Sequence, residues 1–452
     1  MKCIKEYTIC RFLLFVLYFP CYTGLMSNNN PIITFINAPS ELASAKVMNL
    51  YGEDYLSLPF YFVCTLTNLT KTPEATTLLQ QAISFRLGTD NGPYTIFHGI
   101  IDSLNTRQCS SDATPEYSLV IRPRFILLNR DKRSRVFAVA KPMSIIDIIK
   151  QVLKDNGIAD VQFELSNTYP LLTVCVQYQE TDFNFLSRLM RKANVYYYFT
   201  HTADKHTLVI SDQAHCHLDS VQEAQTCHDT HQQTHITRWQ CQRLATLNTT
   251  TNAVYDFTKT AVDIETVTTN PSNQANSHKA KEATFTQAEH GEKNQSIKAP
   301  SSKLPVVSRR IFASSNYYHW KAGTEFSLPQ IESDVEPGNY TVYAIAYHAD
   351  NKGDATHYYN DFYAYPTDKG RTTKPVFQQS TLYPEEALID KTIVDNIPIT
   401  EPVINGLQTA IVVGPKDKPI YTDKYGRIKV QFDWDAEKTF DENSFAWVRV
   451  KR

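Results

Sequence analysis

Glycine is scarce in this sequence, 14 of 452 residues, and neither sign of charge is in excess: the formal net charge is −2. Such a balance gives no global field to draw the chain to nucleic acid or anionic lipid. The signatures of common hydrolases are missing, with no G-x-S-x-G around a serine and no H-E-x-x-H for a zincin. Nine cysteines are scattered along the chain, Cys3, Cys10 and Cys21 among the first 26 residues. An odd number without tight spacing does not make a disulfide framework, and points to a reducing compartment. The N-terminal apolar core, Phe12–Phe19, is too short to span a bilayer. It follows Lys2, Lys5 and Arg11 in the manner of a signal peptide, but no small-x-small cleavage site follows and Cys21 lies outside any lipobox. We therefore expect residues 1–26 to be a leader or a mis-assigned start, with translation beginning at Met26, and not a working signal peptide.

What is abundant is aromatic. The chain has 26 Tyr and 23 Phe, with 42% apolar and 20% charged residues, an ordinary globular balance weighted toward strand formers. Its length exceeds what one hydrophobic core serves, so two or three domains are expected.

The most informative stretch is Leu171–Asp212. Leu172, Val174, Val176 and Tyr178 alternate with Thr173, Cys175 and Gln177, which predicts a half-buried strand with the first set inward. Thr181 is placed to cap a short helix, with Asp182 in its first turn and Phe183, Phe185, Leu186, Leu189 and Met190 on one stripe. Arg191 and Lys192 suit the last turn, and Asn194 the left-handed residue that ends it. Strands Val195–Phe199 and Thr207–Ile210 follow, around a turn at Asp204 and Lys205. This β-α-β-β unit carries no nucleophile, metal cluster or glycine-rich loop, and reads as scaffold.

At these residues VQYQETDFNFLSRLMRKANVYYYF resembles the corresponding run of VgrG spike proteins of type VI secretion systems. A second run, GLQTAIVVGPKDKPIYTDKYGRIKVQFDWD at Gly406–Asp435, is similar to the entry of that family's OB-fold. The resemblance covers roughly Ile32 to Arg452 and is weakest between about Gln213 and Ser308. It implies a structural protein: a homotrimer related to contractile-phage tail hubs, capping an Hcp tube, with baseplate components and secreted effectors as further partners. The implied fold is mainly β with some α, a two-barrel tail-hub-like region followed by an incomplete OB-fold.

Along the chain, strand signals at Phe60–Leu66, Ala82–Leu87, Tyr94–Ile101 and Tyr117–Arg122 are expected to build a first hub barrel over 27–135. His98, between Phe97 and Gly99, reads as a structural histidine. The basic run Arg122, Arg124, Arg130, Lys132, Arg133, Arg135 reads as a solvated loop. A helix over Lys141–Gly157, started by Ser144 or Pro142 and ended by Asn156-Gly157, belongs to a helical connection at 136–170. A second hub barrel is expected over 171–385 with variable loops at 213–303, where Ser277–Glu282 could be helical, then a linker at 386–402 and a partial OB-fold at 403–452. In that last unit Ile428, Val430, Phe432 and Trp434 should alternate inward. The family's segment beyond the WVRV-like strand does not follow Arg452, so the expectation is a C-terminally truncated or split gene product.

Seven of the 13 histidines and three cysteines lie between His201 and Cys241. His215-Cys216-His217 and Cys227-His228 offer ligands suited to zinc or copper, yet no standard C-x₂-C…H-x₃₋₅-H spacing appears. The segment is read as an exposed polar loop. Glu180 and Asp182 are explained by capping and the helix dipole rather than by acid–base work, and Tyr196–Tyr198 as sheet surface without a basic groove. No catalytic, cofactor-binding or metal residue is assigned, no cofactor is expected and the protein is not read as an enzyme. The expected site of action is assembly in the cytoplasm followed by export through the type VI machine. Two other readings stand beside this one: a tail-hub or baseplate protein of a phage or phage-derived injection machine, and an enzyme-bearing VgrG whose effector domain is lost.

Overall fold

The computed structural model describes residues 32–69, 75–89, 92–107, 115–138, 141–172, 174–213, 222–223, 235–243, 249–255, 262–268, 284–287, 309–328, 337–351, 357–367, 402–418, 421–436, 440–442, 444 and 447–450. The first strands are β1 (Ile33–Asn37), β2 (Lys46–Tyr55), β3 (Tyr61–Thr67), β4 (Ala82–Gly88), β5 (Tyr94–Arg107) and β6 (Glu116–Arg122). After them come β7 (Lys132–Phe137), β8 (Met143–Ser144) and helix α1 (Ile145–Asp155), then β9 (Val161–Glu164), β10 (Leu171–Leu172) and β11 (Cys175–Thr181). Helix α2 (Asp182–Ala193) leads into the hairpin β12 (Tyr196–His201) and β13 (His206–Ser211). Further strands are β14 (Gln222–Glu223), β15 (Ile236–Arg243), β16 (Thr249–Tyr255), β17 (Val262–Thr268), β18 (Thr284–Gln287), β19 (Arg309–Ser315), β20 (Glu325–Leu328), β21 (Gly338–Asp350) and β22 (His357–Pro366). The last three are β23 (Ala410–Val413), β24 (Ile428–Phe432) and β25 (Trp447–Val448).

One large antiparallel sheet organises the rest, in the order β1-β4-β5-β6-β3-β2-β21-β22-β19-β15. Its two halves come from residues 33–122 and 236–366 and are joined where Asn49–Tyr55 of β2 pairs with Ala344–Asp350 of β21. Strand alternation sorts the side chains. Leu50, Phe62, Cys64, Ile345, Tyr347, Phe362, Ile311 and Ala313 point to one face and form part of a single core. Tyr61, Tyr51, His348 and Tyr359 line the other face and stay partly or fully exposed. Gly52 sits between Phe62 and Tyr347 in this ladder, and a Cβ there would come within 2.0 Å of the Phe62 ring. The missing side chain makes room for that ring.

The helices cover the core. α1 begins with a complete capping box, Ser144 Oγ accepting from Asp147 N and the Asp147 carboxylate accepting from Ser144 N. α2 is capped by Thr181 and closed by Asn194 at φ 55°, as its sequence requires. Its stripe Phe183, Phe185, Leu186, Leu189 and Met190 is buried, with Phe185 stacked on Phe137 at 5.3 Å and Phe183 against Phe125 at 5.2 Å. Burial of each such side chain contributes about 1.5–3 kcal/mol.

Three sequence expectations change. Phase in β11 is inverted: Cys175 and Gln177 are buried whereas Val176 and Tyr178 are half-buried. Hydrogen bonds from Arg135 and to Asp182 hold the Gln177 amide inside, and the ladder bulges only after it, between Gln177 and Glu180. The basic run is not a loop throughout, since Lys132–Phe137 is the strand that pairs with β11. In the C-terminal sheet β23-β24-β25, Lys429 and Gln431 are buried although Ile428 and Phe432 are only half-buried. Gln431 bonds to Asp435 and Lys429 to the Glu442 carbonyl, while Trp434 meets Tyr178 edge-on at 5.1 Å and Ala436 N donates to Ser134 O. Both faces of β24 are therefore partly covered. The possible helix Ser277–Glu282 and all but residue 402 of the linker 386–402 lie outside the described residues.

Asn351, at the end of β21, pins the sheet's first strands. Its Oδ1 accepts from Ile32 N, its Nδ2 donates to Ile33 O and Val47 O, and its own N–H donates to Met48 O. An Asn351→Leu variant should lose about 2–3 kcal/mol of unfolding free energy in urea titration, because three buried backbone groups lose their partners. A variant as stable as the parent would remove Asn351 from this role.

Candidate functional site

The carboxylates singled out in the sequence are drawn into a brace between β7, β11 and the two helices. Asp182 accepts from Arg135 at 2.7 Å, Arg133 at 3.2 Å, Gln177 at 2.8 Å and Asn156 at 2.9 Å. Glu180 receives Arg188 at 2.6 Å and the Asn184 amide. Each oxygen faces donors, so neither carboxylate is placed to take a proton from a substrate. Two of the six residues in the basic run, Arg133 and Arg135, are thereby spent on Asp182. Asp102 of β5 lies 3.7 Å from Arg122 of the same basic run.

Asp212 closes a second knot. It accepts from the backbone of Ser166 and Asn167, from both their side chains and from the Tyr169 hydroxyl. These donors hold its carboxyl below the usual range against the opposing effect of burial. On the outer sheet face, Ser314 donates to Asp361 at 2.5 Å and His348 lies 3.9 Å from the other Asp361 oxygen, stacked on Tyr359. Here the carboxylate, not the imidazole, receives the serine proton. A triad nucleophile requires the histidine between them, so this arrangement does not activate Ser314.

The structure also assembles a group that sequence reasoning missed. His98 of β5 meets His201 and His206 of the β12–β13 hairpin, with His98 Nδ1 and His206 Nδ1 2.9 Å apart. His201 and His206 thus stand on strands, not in an exposed loop. Of the remaining residues in the His/Cys segment, His235 precedes β15 and Cys241 is exposed within it, while His215, Cys216, His217, Cys227, His228 and His231 lie outside the described residues. Among the described residues no group of three or more His, Cys, Asp or Glu is spaced to hold a metal ion. Tyr196, Tyr197 and Tyr198 are all buried, Tyr196 and Tyr198 in a tyrosine-rich cluster with Tyr55, Tyr343 and Tyr365. They are core, and not sheet surface.

What the arrangement offers is a sheet and helix framework in which the carboxylates of Asp182, Glu180 and Asp212 are committed to holding it together. Residues 53–353 match the family model described as phage tail baseplate hub (GPD). The chain belongs to that family. The hub chain is 27% identical over 435 residues to the type VI secretion system spike protein VgrG1b of Pseudomonas aeruginosa, covering 92% of this chain and 54% of that protein. It is 30% identical to VgrG1a of the same organism, covering 83% of this chain and 56% of that one. The chain spans about half the length of these two relatives. In fold it is similar to the E. coli c3393 protein, a component of the type VI secretion system, with a TM-score of 0.60, 15% identity and coverage of 89% of this chain and 88% of that one. The VgrG-like, mainly β tail-hub expectation stands.

Two measurements test the brace and the buried acid of the hub. Asp182→Ala should cost about 3–5 kcal/mol, since it strands Arg135 in a partly buried site. Lys205→Ala, whose pair with Asp160 is more than half exposed on both sides, should cost less than about 1 kcal/mol. Equal effects in chemical denaturation would refute the distinction. Asp54, which accepts from Ala322 N, is pushed by burial from 3.8 to about 7. Between those values the folded state binds the proton that the unfolded state releases, so this group makes stability rise as pH falls from about 7 toward 4. Asp54→Asn should raise Tm at about pH 8, with the gap narrowing steadily as pH falls from about 7 toward 4. A pH-independent gap would show that burial of the charge is not the cause.

Proposed function

We propose that this chain forms the hub of a type VI secretion spike, acting mechanically rather than as an enzyme. The observation that carries the reading is similarity to VgrG spike proteins over most of this chain, combined with one sheet that binds both ends of the hub region together. In this reading three copies close a ring on an Hcp tube, contact baseplate components and carry effectors. The assembly forms in the cytoplasm and leaves through the machine. Residues 27–135 and 171–385 supply two barrel-like bodies joined by 136–170, with a linker at 386–402, and 403–452 contributes an OB-type collar. No helix among the described residues is long and apolar enough to cross a membrane. A second reading, a hub of a phage-derived injection machine, draws on the phage-named family match.

Light scattering of the full chain at several concentrations tests the assembly. A trimer mass that persists to the low-micromolar range supports the reading. A monomer at about tens of micromolar, where transient interfaces of ordinary size are already occupied, overturns it. Capture of Hcp, against a phage tube protein as comparison, separates the two machines.

A further inference from the structure

Three imidazoles from two separate sheets meet where the β12–β13 hairpin lies against β5. His206 Nε2 accepts from Arg124 N at 3.0 Å, so the His206 proton sits on Nδ1. That proton points at His98 Nδ1, 2.9 Å away, which must accept it and therefore carries its own proton on Nε2. His201 Nδ1 lies 3.2 Å from the carbonyl oxygen of His98, and its Nε2 is buried without a hydrogen-bond partner. The same Nδ1 lies 3.2 Å from His98 N, from which it accepts when the ring proton is on Nε2, whereas with the proton on Nδ1 it donates to the carbonyl instead; either neutral tautomer makes one bond to the His98 backbone. Each of these bonds is made with the rings neutral. Phe60, Phe97 and Phe199 pack around them, with ring centroids 5.0 and 5.3 Å from His201 and 6.1 Å from His206.

We propose that this cluster is an acid-sensitive joint, in which uptake of a proton releases the β12–β13 hairpin from the large sheet. Each basic nitrogen is poorly placed to receive one. At His98 Nδ1 an added proton faces the His206 N–H, donor against donor. At His206 Nε2 it faces the Arg124 N–H. A doubly protonated His201 sets its Nδ1–H beside the His98 N–H and buries its Nε2–H without an acceptor. The charges around the joint lean the same way at His201 and His206, and the opposite way at His98, where Asp160 and Asp204 outweigh Arg124 but not burial. Arg124 and Lys321 oppose protonation, while Asp160 and Asp204 favour it but lie at the exposed rim, Asp160 already engaged by Lys205 at 3.4 Å. Asn37 of β1, which donates to Ala203 O and Asp204 in the hairpin turn, is a neutral tether that does not titrate.

Burial pushes all three imidazoles down, His206 to about 3. A histidine whose folded pKa lies below its unfolded value loses stabilising power as pH falls through the unfolded value of 6.5. Opening the hairpin should therefore become about tenfold easier per released histidine between pH 7.5 and 5.5. Carboxylates with ordinary pKa values stay ionised in that range. Asp54, which does titrate there, acts with the opposite sign and on global stability.

Hydrogen exchange of the full chain, with exchange times scaled to intrinsic rates and EDTA present, tests this. Peptides covering 196–211 are compared with α1, which has no histidine. Hairpin protection relative to α1 should fall about tenfold or more on going from pH 7.5 to 5.5. The fall should shrink in His98→Asn, whose amide oxygen can accept from His206 without titrating. An unchanged ratio in the parent, or an undiminished fall in a folded His98→Asn, overturns the proposal. Should that variant fail to fold, exchange of the imidazole C2 hydrogens in the parent decides. Midpoints for His201 and His206 below about 5 support the joint, and midpoints near the ordinary 6.5 sink it.

Discussion

The pairing of β2 with β21 is the constraint on which the other structure depends. It joins strands almost 300 residues apart: Tyr51 lies opposite His348 and Tyr55 opposite Ala344. Until that ladder forms, β3 and β22 have no common sheet, and the core shared by Phe62, Tyr347 and Phe362 is not closed. Loop closure over that distance costs entropy before any contact repays it, although the cost grows only slowly with length. The repayment is concentrated at the seam: a glycine that admits the Phe62 ring, a tyrosine on the partner strand, and Asn351 holding three backbone groups.

How much of this the sequence discloses follows from the range of each interaction. The ends of α1 and α2 are set by residues within four positions of each other, so Ser144, Asp147, Thr181 and Asn194 could be read directly. Strand existence was legible too, because β-branched and aromatic residues mark it locally. Partner choice was not: nothing in YGEDY and YAIAYHA names each as the other's neighbour. The inverted face of β11 shows a related failure. Alternation assumes that apolar means inward, and here the buried position belongs to Gln177 because Asp182 and Arg135 are already inside. The half-exposed Tyr178 then finds its cover on Trp434 of a sheet formed by later residues.

The candidate site was less legible than the fold, for the same reason. Histidines separated by about a hundred positions carry no spacing signal, and attention falls on the dense run at 215–231 instead. The trio became visible only when β5 and the hairpin were brought together. The one local hint was that His201 and His206 flank a four-residue turn at the end of strongly apolar strands, where side chains on one face are neighbours across the ladder.

These features show how the described carboxylates are committed to structure. A polar group in a sheet-based plate must be hydrated on the outer face or fully matched inside. Asp182, Glu180 and Asp212 take the second course, each surrounded by donors, and so lose the freedom that acid–base chemistry demands. Rigidity and reactivity compete for the same side chains. In the brace between β7, β11 and the helices the competition is settled for rigidity, whereas the histidine joint is matched in only one protonation state. Matched carboxylates on one side and a histidine joint on the other leave one place among the described residues where solution conditions alter how the parts are held.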